Sequence, residues 1–313
     1  MRIIFLKGAN MRFIKRIINF IFRQFKQIER KKEIKKTAPR IEKTNLIDDL
    51  RALGLKRGDI VLFHSSLKSI GYVVGGARTV IEAILEVISP DGTLMIPTYS
   101  SNSMLKTCLN KDYCFDPRET DTVLGKIPST FLKMPNIHRS IHPTHSVAAI
   151  GKYAQYLTEA HHFALSTFGY NSPWERLMKL DGKMMGIGVT LWPVPIYHVL
   201  EDMMSDKFPL PVRMKETYMV KCRDWFNKLI EVPVTPLDPK YKKIRIDNEN
   251  RQDLRTYMWK EYIHAGIVKT GKVGAATGWI TSINKFYDHL ILLMREGITI
   301  YSTPEELKKR PIW

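Results

Sequence analysis

The spacing of hydrophobic residues changes several times along the chain, and each change predicts a different element. Residues 59–65 form a short apolar run after Gly58, which is typical of a buried strand. Another such run follows the turn at residues 89–92, at Thr93–Pro97, and a third lies at residues 183–189. Between the first two runs, apolar residues recur at the i, i+3, i+4 and i+7 spacing of a helix, at Ile81, Ile84, Leu85 and Ile88. Strand, helix and strand in this order predict a parallel unit with a right-handed crossover, within a compact α/β domain that starts near residue 45.

The N-terminus follows a different pattern. In residues 11–36 apolar side chains recur at helical spacing while Lys and Arg fill many of the other positions, which predicts a basic amphipathic helix. Such a helix lies on an anionic membrane surface or docks on the protein's own body or a partner, and the sequence leaves both open. Its longest purely apolar run, residues 20–22, is far too short to span a bilayer. We therefore expect two regions, residues 1–44 with the helix and a charged linker, and residues 45–313 with the compact domain.

Composition narrows the class of protein. The chain has 313 residues, 44% of them hydrophobic, which is enough for one large core or two small ones. Its net charge is +18, and residues 1–36 contribute +10 through twelve Lys and Arg against two Glu. This surplus favours an anionic partner, although no nucleic-acid-binding module is recognisable. The three cysteines form no CxxC pair, so we expect a reducing cytoplasm, with the basic helix allowing a peripheral place on the inner leaflet.

The most distinctive polar cluster is Arg-Ser-Ile-His-Pro-Thr-His-Ser at residues 139–146. Two histidines beside an arginine and three hydroxyls can bind a phosphate, move a proton or hold a metal. Zinc is disfavoured, because His142 and His145 have no cysteine or acidic partner at zinc-ligand spacing. The residues themselves leave open a purely structural role in which both histidines bond loop carbonyls.

Two further segments could carry chemistry. The loop after the first strand leads into a helix, and phosphates favour helix N-termini, but its glycine spacing equally suits an ordinary connection. His198 and Glu201 lie three residues apart, so on a helix they share one face. A carboxylate beside an imidazole suits a general base, and a surface His–Glu pair is the alternative.

Taken together, these segments resemble the aminoglycoside 3-N-acetyltransferase family, whose members acetylate an amine with acetyl-CoA. The matching stretches run in the family's order over about residues 45–300. They are residues 58–67, 74–77, 90–98, 115–117, 125–128, 139–146, 172–177, 180–183, 198–201 and 271–276. The resemblance implies a catalytic domain with a three-layer α/β/α fold around a central, largely parallel sheet, an acetyl-CoA co-substrate and no metal.

Position by position, the resemblance also implies roles for individual residues. His198 would be the general base that removes a proton from the attacking amine, and Glu201 would support it or help to hold the substrate. His142 and His145 would shape the site. The residues implied for CoA, with the last two at its phosphates, are Ser65, Ser66, Leu67, Gly75, Gly76, Arg139 and Ser140.

One segment departs from the family pattern. Where the family has a Thr three residues before the histidine base, this chain has Pro195, after Leu-Trp-Pro-Val at residues 191–194. The positive charge of residues 37–313 also suits a polycationic aminoglycoside poorly. The main expectation is therefore an N-acetyltransferase acting on an amino sugar, such as a nucleotide-linked one of surface-polysaccharide biosynthesis. The alternatives are an aminoglycoside 3-N-acetyltransferase that confers antibiotic resistance, and an inactive relative that binds membrane through its basic helix.

Overall fold

The computed structural model describes residues 39–312. The basic helix predicted at residues 11–36 lies outside the described residues, and so does its membrane contact, so both stay predictions. Ile41–Trp313 is one compact unit. Its first helix begins at Lys43, two residues before the domain start expected from the sequence. No helix within residues 39–312 is long and apolar enough to cross a membrane.

The secondary structure alternates between strands and helices. The strands are β1 (Arg40–Ile41), β2 (Ile60–Ser65), β3 (Tyr72–Val73), β4 (Thr93–Pro97), β5 (His138–Arg139), β6 (Val147–Gly151), β7 (Lys183–Ile187), β8 (Tyr218–Arg223), β9 (Leu229–Val234), β10 (Lys269–Val273) and β11 (Ala276–Ser282). The helices are α1 (Lys43–Leu53), α2 (Leu67–Ile70), α3 (Ala77–Ile88), α4 (Met104–Leu109), α5 (Lys126–Phe131), α6 (Ala154–Thr158), α7 (Pro173–Lys179), α8 (Ile196–Met203), α9 (Gln252–His264), α10 (Ile283–Arg295) and α11 (Pro304–Lys309).

Seven strands form one sheet in the order β10-β11-β7-β2-β4-β6-β5, and β1–β3 and β8–β9 form separate pairs. The three central strands are parallel, with β2 between β7 and β4. The strands outside them pair antiparallel. The expectation of a largely parallel sheet is therefore corrected to a parallel centre, because β6 and β11 join it in the reverse direction and the β5–β6 and β10–β11 hairpins each add one more antiparallel pair.

Alternating side chains of the central strands build a core on each face of the sheet. In β2, Leu62 belongs to the core on one face, whereas Val61 and Phe63 belong to the core on the other. Helices α6 to α10 contribute buried residues to the first core, and α1, α3 and α5 contribute to the second. The predicted α/β class and its three layers are thereby confirmed.

The elements predicted from hydrophobic spacing are present. The β2–α3–β4 unit is parallel, and α3 buries Ile81, Ile84 and Ile88. The third predicted strand is shorter than expected and ends at Ile187. Gly188 follows it with a left-handed φ of +66°, so the chain leaves the sheet there and turns into the segment before α8.

Candidate active site

Helix α8 carries the imidazole and carboxylate pair predicted from the sequence. Val199 and Leu200 anchor the helix in the core, and Pro195 precedes its first residue. The His198 ring nitrogen Nδ1 lies 2.7 Å from Oε2 of Glu201. An ionised carboxylate can only accept hydrogen bonds, so Nδ1 carries the proton and Nε2 is left as the basic nitrogen of the ring.

The Glu201 carboxylate is buried among groups that keep it ionised. Its side chain is 1% exposed, and its second oxygen accepts a hydrogen bond of 2.8 Å from the Tyr301 hydroxyl. Burial raises the pKa of Glu201, but His198, Arg213 and Tyr301 together outweigh burial and hold this pKa below its ordinary value. The ionised carboxylate therefore fixes the tautomer of His198 at neutral pH.

His198 lines a cavity of about 470 Å³. Its ring packs against Phe168, with 5.4 Å between the ring centroids. Polar and charged side chains that share this lining are Ser101, Asn102, Ser103, Asp238, Lys242, Arg245 and Asp247. The cavity can thus hold a hydrophilic molecule with several hydroxyl or amino groups against the base.

The charges in this cavity are balanced. Asp247 forms two hydrogen bonds with Arg245, of 2.6 and 2.7 Å, and Asp238 lies 2.9 Å from the amine of Lys240. Lys242 forms no ion pair with another residue of the described range. The carboxylates of the cavity are therefore already paired, and Lys242 adds a positive charge to the lining that no described carboxylate pairs with.

The two histidines of the 139–146 segment lie at different depths. His145 lines the cavity and packs against Tyr99, with 4.4 Å between ring centroids. His142 is 2% exposed, stacks on His161, and accepts at Nδ1 a 3.0 Å hydrogen bond from the His145 backbone N–H. Burial and the neighbouring histidines lower the pKa of both rings well below the ordinary value, so both are neutral at pH 7. Within residues 39–312, no group of three or more potential ligands could hold a metal ion.

A groove of about 660 Å³ runs past the end of β7 and the β10–β11 turn. Trp192, Trp259 and Trp279 provide apolar surface, and Arg255 and Lys260 of α9 provide positive charge. Its lining residues include no carboxylate in the part of the chain that the structure describes. The groove therefore suits a long anionic ligand with an apolar portion.

The β2–α3 connection, expected to line the CoA channel, meets the groove at one residue, Ser69. The Ser69 hydroxyl lies 2.8 Å from the hydroxyl of Ser66. The other residues of this connection that were expected at the CoA channel do not line the groove in the described structure. They are Ser65, Ser66, Leu67, Gly75 and Gly76.

Arg139 and Ser140 are buried and form hydrogen bonds within the protein. Arg139 is 3% exposed and donates hydrogen bonds to the carbonyl oxygens of Thr98 and Thr120, at 3.0 and 2.5 Å. Ser140 is fully buried, with its hydroxyl 3.0 Å from Nδ1 of His161. Their polar atoms are engaged by the protein and shielded from solvent, so the geometry lends no support to the expected contact of both residues with CoA phosphates, which stays a prediction.

Several residues of the site carry no signal in the sequence. Tyr301 reaches Glu201 from one hundred positions further along the chain. Arg245 and Asp247 lie in an irregular segment, and Arg255 belongs to a helix outside the recognised motifs. The spacing of residues along the sequence predicts contacts only within one helix or strand. The contribution of these residues to the site can therefore be identified only from the folded structure.

An imidazole oriented by a buried carboxylate, beside a cavity lined by both polar and apolar side chains and near a cationic groove, is typical of an enzyme that activates a nucleophile. A family model described as aminoglycoside 3-N-acetyltransferase matches residues 62–295. Aminoglycoside N(3)-acetyltransferase IX of Micromonospora chalcea is 28% identical over 267 residues, which cover 80% of this chain and 92% of that protein. Aminoglycoside N(3)-acetyltransferase VII of Streptomyces paromomycinus is 33% identical over 181 residues, 54% of this chain and 62% of that protein.

Solved structures show the same fold. Aminoglycoside acetyltransferase AAC(3)-Xa superposes with a TM-score of 0.68 at 26% identity, over 80% of this chain and 90% of that one. AAC-IIIb in a binary complex with CoASH superposes with a TM-score of 0.67 at 21% identity, over 85% of this chain and 100% of that one. A mutant of AAC(3)-IVa in complex with a gentamicin superposes with a TM-score of 0.67 at 25% identity, over 85% of this chain and 93% of that one.

The family model covers well over half of the chain, so the protein belongs to the aminoglycoside 3-N-acetyltransferase family. It is an acyltransferase that uses acetyl-CoA as the donor of the acetyl group.

Proposed function

We propose that the protein transfers the acetyl group of acetyl-CoA to an amino group of an aminoglycoside, with His198 as the general base. The observation that carries this proposal is the hydrogen-bonded pair of His198 and Glu201 at the wall of a cavity lined by both polar and apolar side chains. The relatives compared above are named aminoglycoside acetyltransferases, which favours this class of acceptor over a biosynthetic amino sugar.

The chemistry requires a base at this position. An alkyl amine with a pKa near ~10 is protonated at neutral pH and has no free electron pair for attack. It first loses one proton to solvent. As the new C–N bond forms and the thioester C–S bond breaks, a second proton passes to Nε2 of His198, which delivers it to the departing sulfur. A positioned base of this kind contributes about 10²–10⁴-fold in rate.

The groove and the cavity differ in charge, and so do the two substrates that we assign to them. The groove combines Arg255 and Lys260 with indole surfaces, which suits the phosphates and the apolar arm of CoA. The cavity has balanced charges, because its carboxylates, Asp238 and Asp247, are paired with cations that an amine of the acceptor would have to replace or share. This division supports an arrangement in which the thioester meets the amine where groove and cavity adjoin.

A second acceptor class is favoured by Lys242. Lys242 lines the cavity and forms no ion pair in the described part of the chain, whereas Asp238 and Asp247 are each matched by a cation. An amino sugar attached to a phosphate-bearing carrier would use this charge. The same base and the same donor would serve this acceptor.

The role of the base is tested by His198→Ala. We expect kcat for CoA release to fall at least about 100-fold, because the second proton of the amine loses its acceptor. His264→Ala is the matched control, since His264 is exposed at the end of α9 and lines neither the cavity nor the groove. Unchanged CoA release in His198→Ala would refute the assignment of the base.

The acceptor is identified by CoA release from the wild-type protein with two sets of amines, gentamicin-type aminoglycosides and amino-sugar nucleotides. We expect higher kcat/KM with the aminoglycosides. The opposite order, together with a raised KM for the nucleotides in Lys242→Gln, would establish the anionic acceptor instead.

A further inference from the structure

Trp192 is the one residue that lines both the cavity and the groove in the described structure. It belongs to the segment between β7 and α8, where this chain departs from the family pattern. The backbone on either side is anchored, because Leu191 is fully buried, Val194 is 1% exposed, and the Val194 N–H donates to the Leu191 carbonyl at 3.3 Å. The indole is therefore held at the boundary between the two openings.

A second indole supports this position from the groove side. The ring of Trp259 on α9 meets Trp192 edge-on, with 6.3 Å between centroids and 82° between the planes. Trp259 lines the groove and does not line the cavity. The two rings thus form a wall of which only Trp192 also lines the cavity.

We infer that the Trp192 indole sets the size of the acyl group that the enzyme transfers. This inference rests on the proposed function, in which the donor lies in the groove and the amine lies beside His198. The thioester then has to pass Trp192 to reach the amine, and its acyl chain extends into the space that the indole borders. An acetyl group adds one methyl to the carbonyl, whereas each longer acyl chain adds methylenes that compete with the ring for the same volume.

The expected change in kcat/KM with acyl chain length follows from the way apolar walls select substrates by size. One extra methylene in a confined apolar site changes kcat/KM by about 10- to 200-fold. Replacing an indole by a methyl group frees room for several carbon atoms. The wild-type protein should therefore discriminate against propionyl-CoA and butyryl-CoA, and a smaller residue at position 192 should relax this discrimination.

The test compares kcat/KM for acetyl-CoA, propionyl-CoA and butyryl-CoA in the wild type, Trp192→Ala and Trp192→Phe, with one acceptor held constant. We expect the ratio of butyryl-CoA to acetyl-CoA to rise about tenfold or more in Trp192→Ala. A smaller rise is expected in Trp192→Phe, which keeps an aromatic ring of smaller size. The Phe variant keeps the test valid if the Ala variant does not fold.

The matched control is Trp259→Phe. This change keeps an aromatic ring against Trp192 but alters the wall of the groove, so it should raise KM for all three donors by a similar factor and leave the chain-length ratio as in the wild type. If the wild type acetylates its acceptor but both Trp192 variants keep its chain-length ratio, the inference is wrong and the proposed function stands. A wild-type protein that releases no CoA with any donor and acceptor would overturn both.

Discussion

Arg139 and His198 are polar residues of two short motifs, yet folding places them in opposite environments. Arg139 is enclosed, and its guanidinium donates to the carbonyl oxygens of Thr98, Thr120 and Pro117. Burial lowers the pKa of Arg139 to about 10, so the group stays charged at neutral pH and bonds these acceptors as a cation. His198 keeps one nitrogen bonded to Glu201 and faces a cavity with its ring. The first residue therefore acts on stability and the second on chemistry.

The variant Arg139→Met tests this division. Removing the guanidinium leaves buried carbonyl oxygens unpaired, and each such group costs about 1–3 kcal/mol. We expect the free energy of unfolding, measured by urea denaturation, to fall by about 2–5 kcal/mol, with little change in KM for acetyl-CoA. The exposed Arg57→Met is the control and should change neither quantity. A large rise in KM for acetyl-CoA without loss of stability would restore Arg139 to the phosphate site.

At the scale of elements, the β7–β11 pair shapes one side of the groove. Gly186 and Trp279 face each other directly across these strands, and a Cβ on Gly186 would lie 2.3 Å from the indole. The indole Nε1 also donates to the carbonyl of Val189 at 2.8 Å, which fixes the ring beside the segment that leaves β7. The absence of a side chain at position 186 thus lets a groove-lining ring lie close against the sheet.

Gly186→Ala should displace this ring. We expect the free energy of unfolding to fall by about 1–3 kcal/mol through overpacking, and KM for acetyl-CoA to rise because Trp279 lines the groove. Trp279→Phe, introduced into the Gly186→Ala protein, should recover part of the stability, since a smaller ring relieves the contact. Simple additivity of the two changes would show that the two residues do not interact.

At the scale of the whole molecule, the positive charge of the protein should act on the binding of the donor more than on the binding of the acceptor. The chain carries a net charge of +18, and the groove contains cations without carboxylates among its described lining residues. CoA is a polyanion, so the field of the protein should favour its approach and its binding. The charges of the cavity are balanced, so binding of the acceptor there should depend much less on the net charge of the protein.

Salt should therefore affect the donor selectively. Raising the ionic strength from about 0.01 M to 1 M shortens the Debye length from about 30 Å to 3 Å. We expect kcat/KM for acetyl-CoA to fall over this range, while kcat/KM for acetyl-pantetheine, which lacks the nucleotide and its phosphates, changes little. An equal dependence for both donors would rule out electrostatic binding in the groove.

Local patterns predict those parts of the fold whose physical cause is local. The spacing of apolar residues places β2, α3 and β4 within a residue or a few, because side-chain periodicity follows backbone geometry. The pair of His198 and Glu201 is also visible, since positions i and i+3 share one helix face. The antiparallel outer strands and the length of β7 are not visible, because they depend on where connections return the chain.

The sequence by itself determined the α/β class, the basic surplus, the order of the family's motifs and the helix that carries the candidate base. Only the tertiary structure decided which polar residues of those motifs line a cavity and which are buried. It closed Arg139 and Ser140 into the core, brought Tyr301 to Glu201, and placed Trp192 between two openings. The physical reason is that burial and long-range contacts belong to the packed chain, and a linear pattern records neither the depth of a side chain nor its distant neighbours.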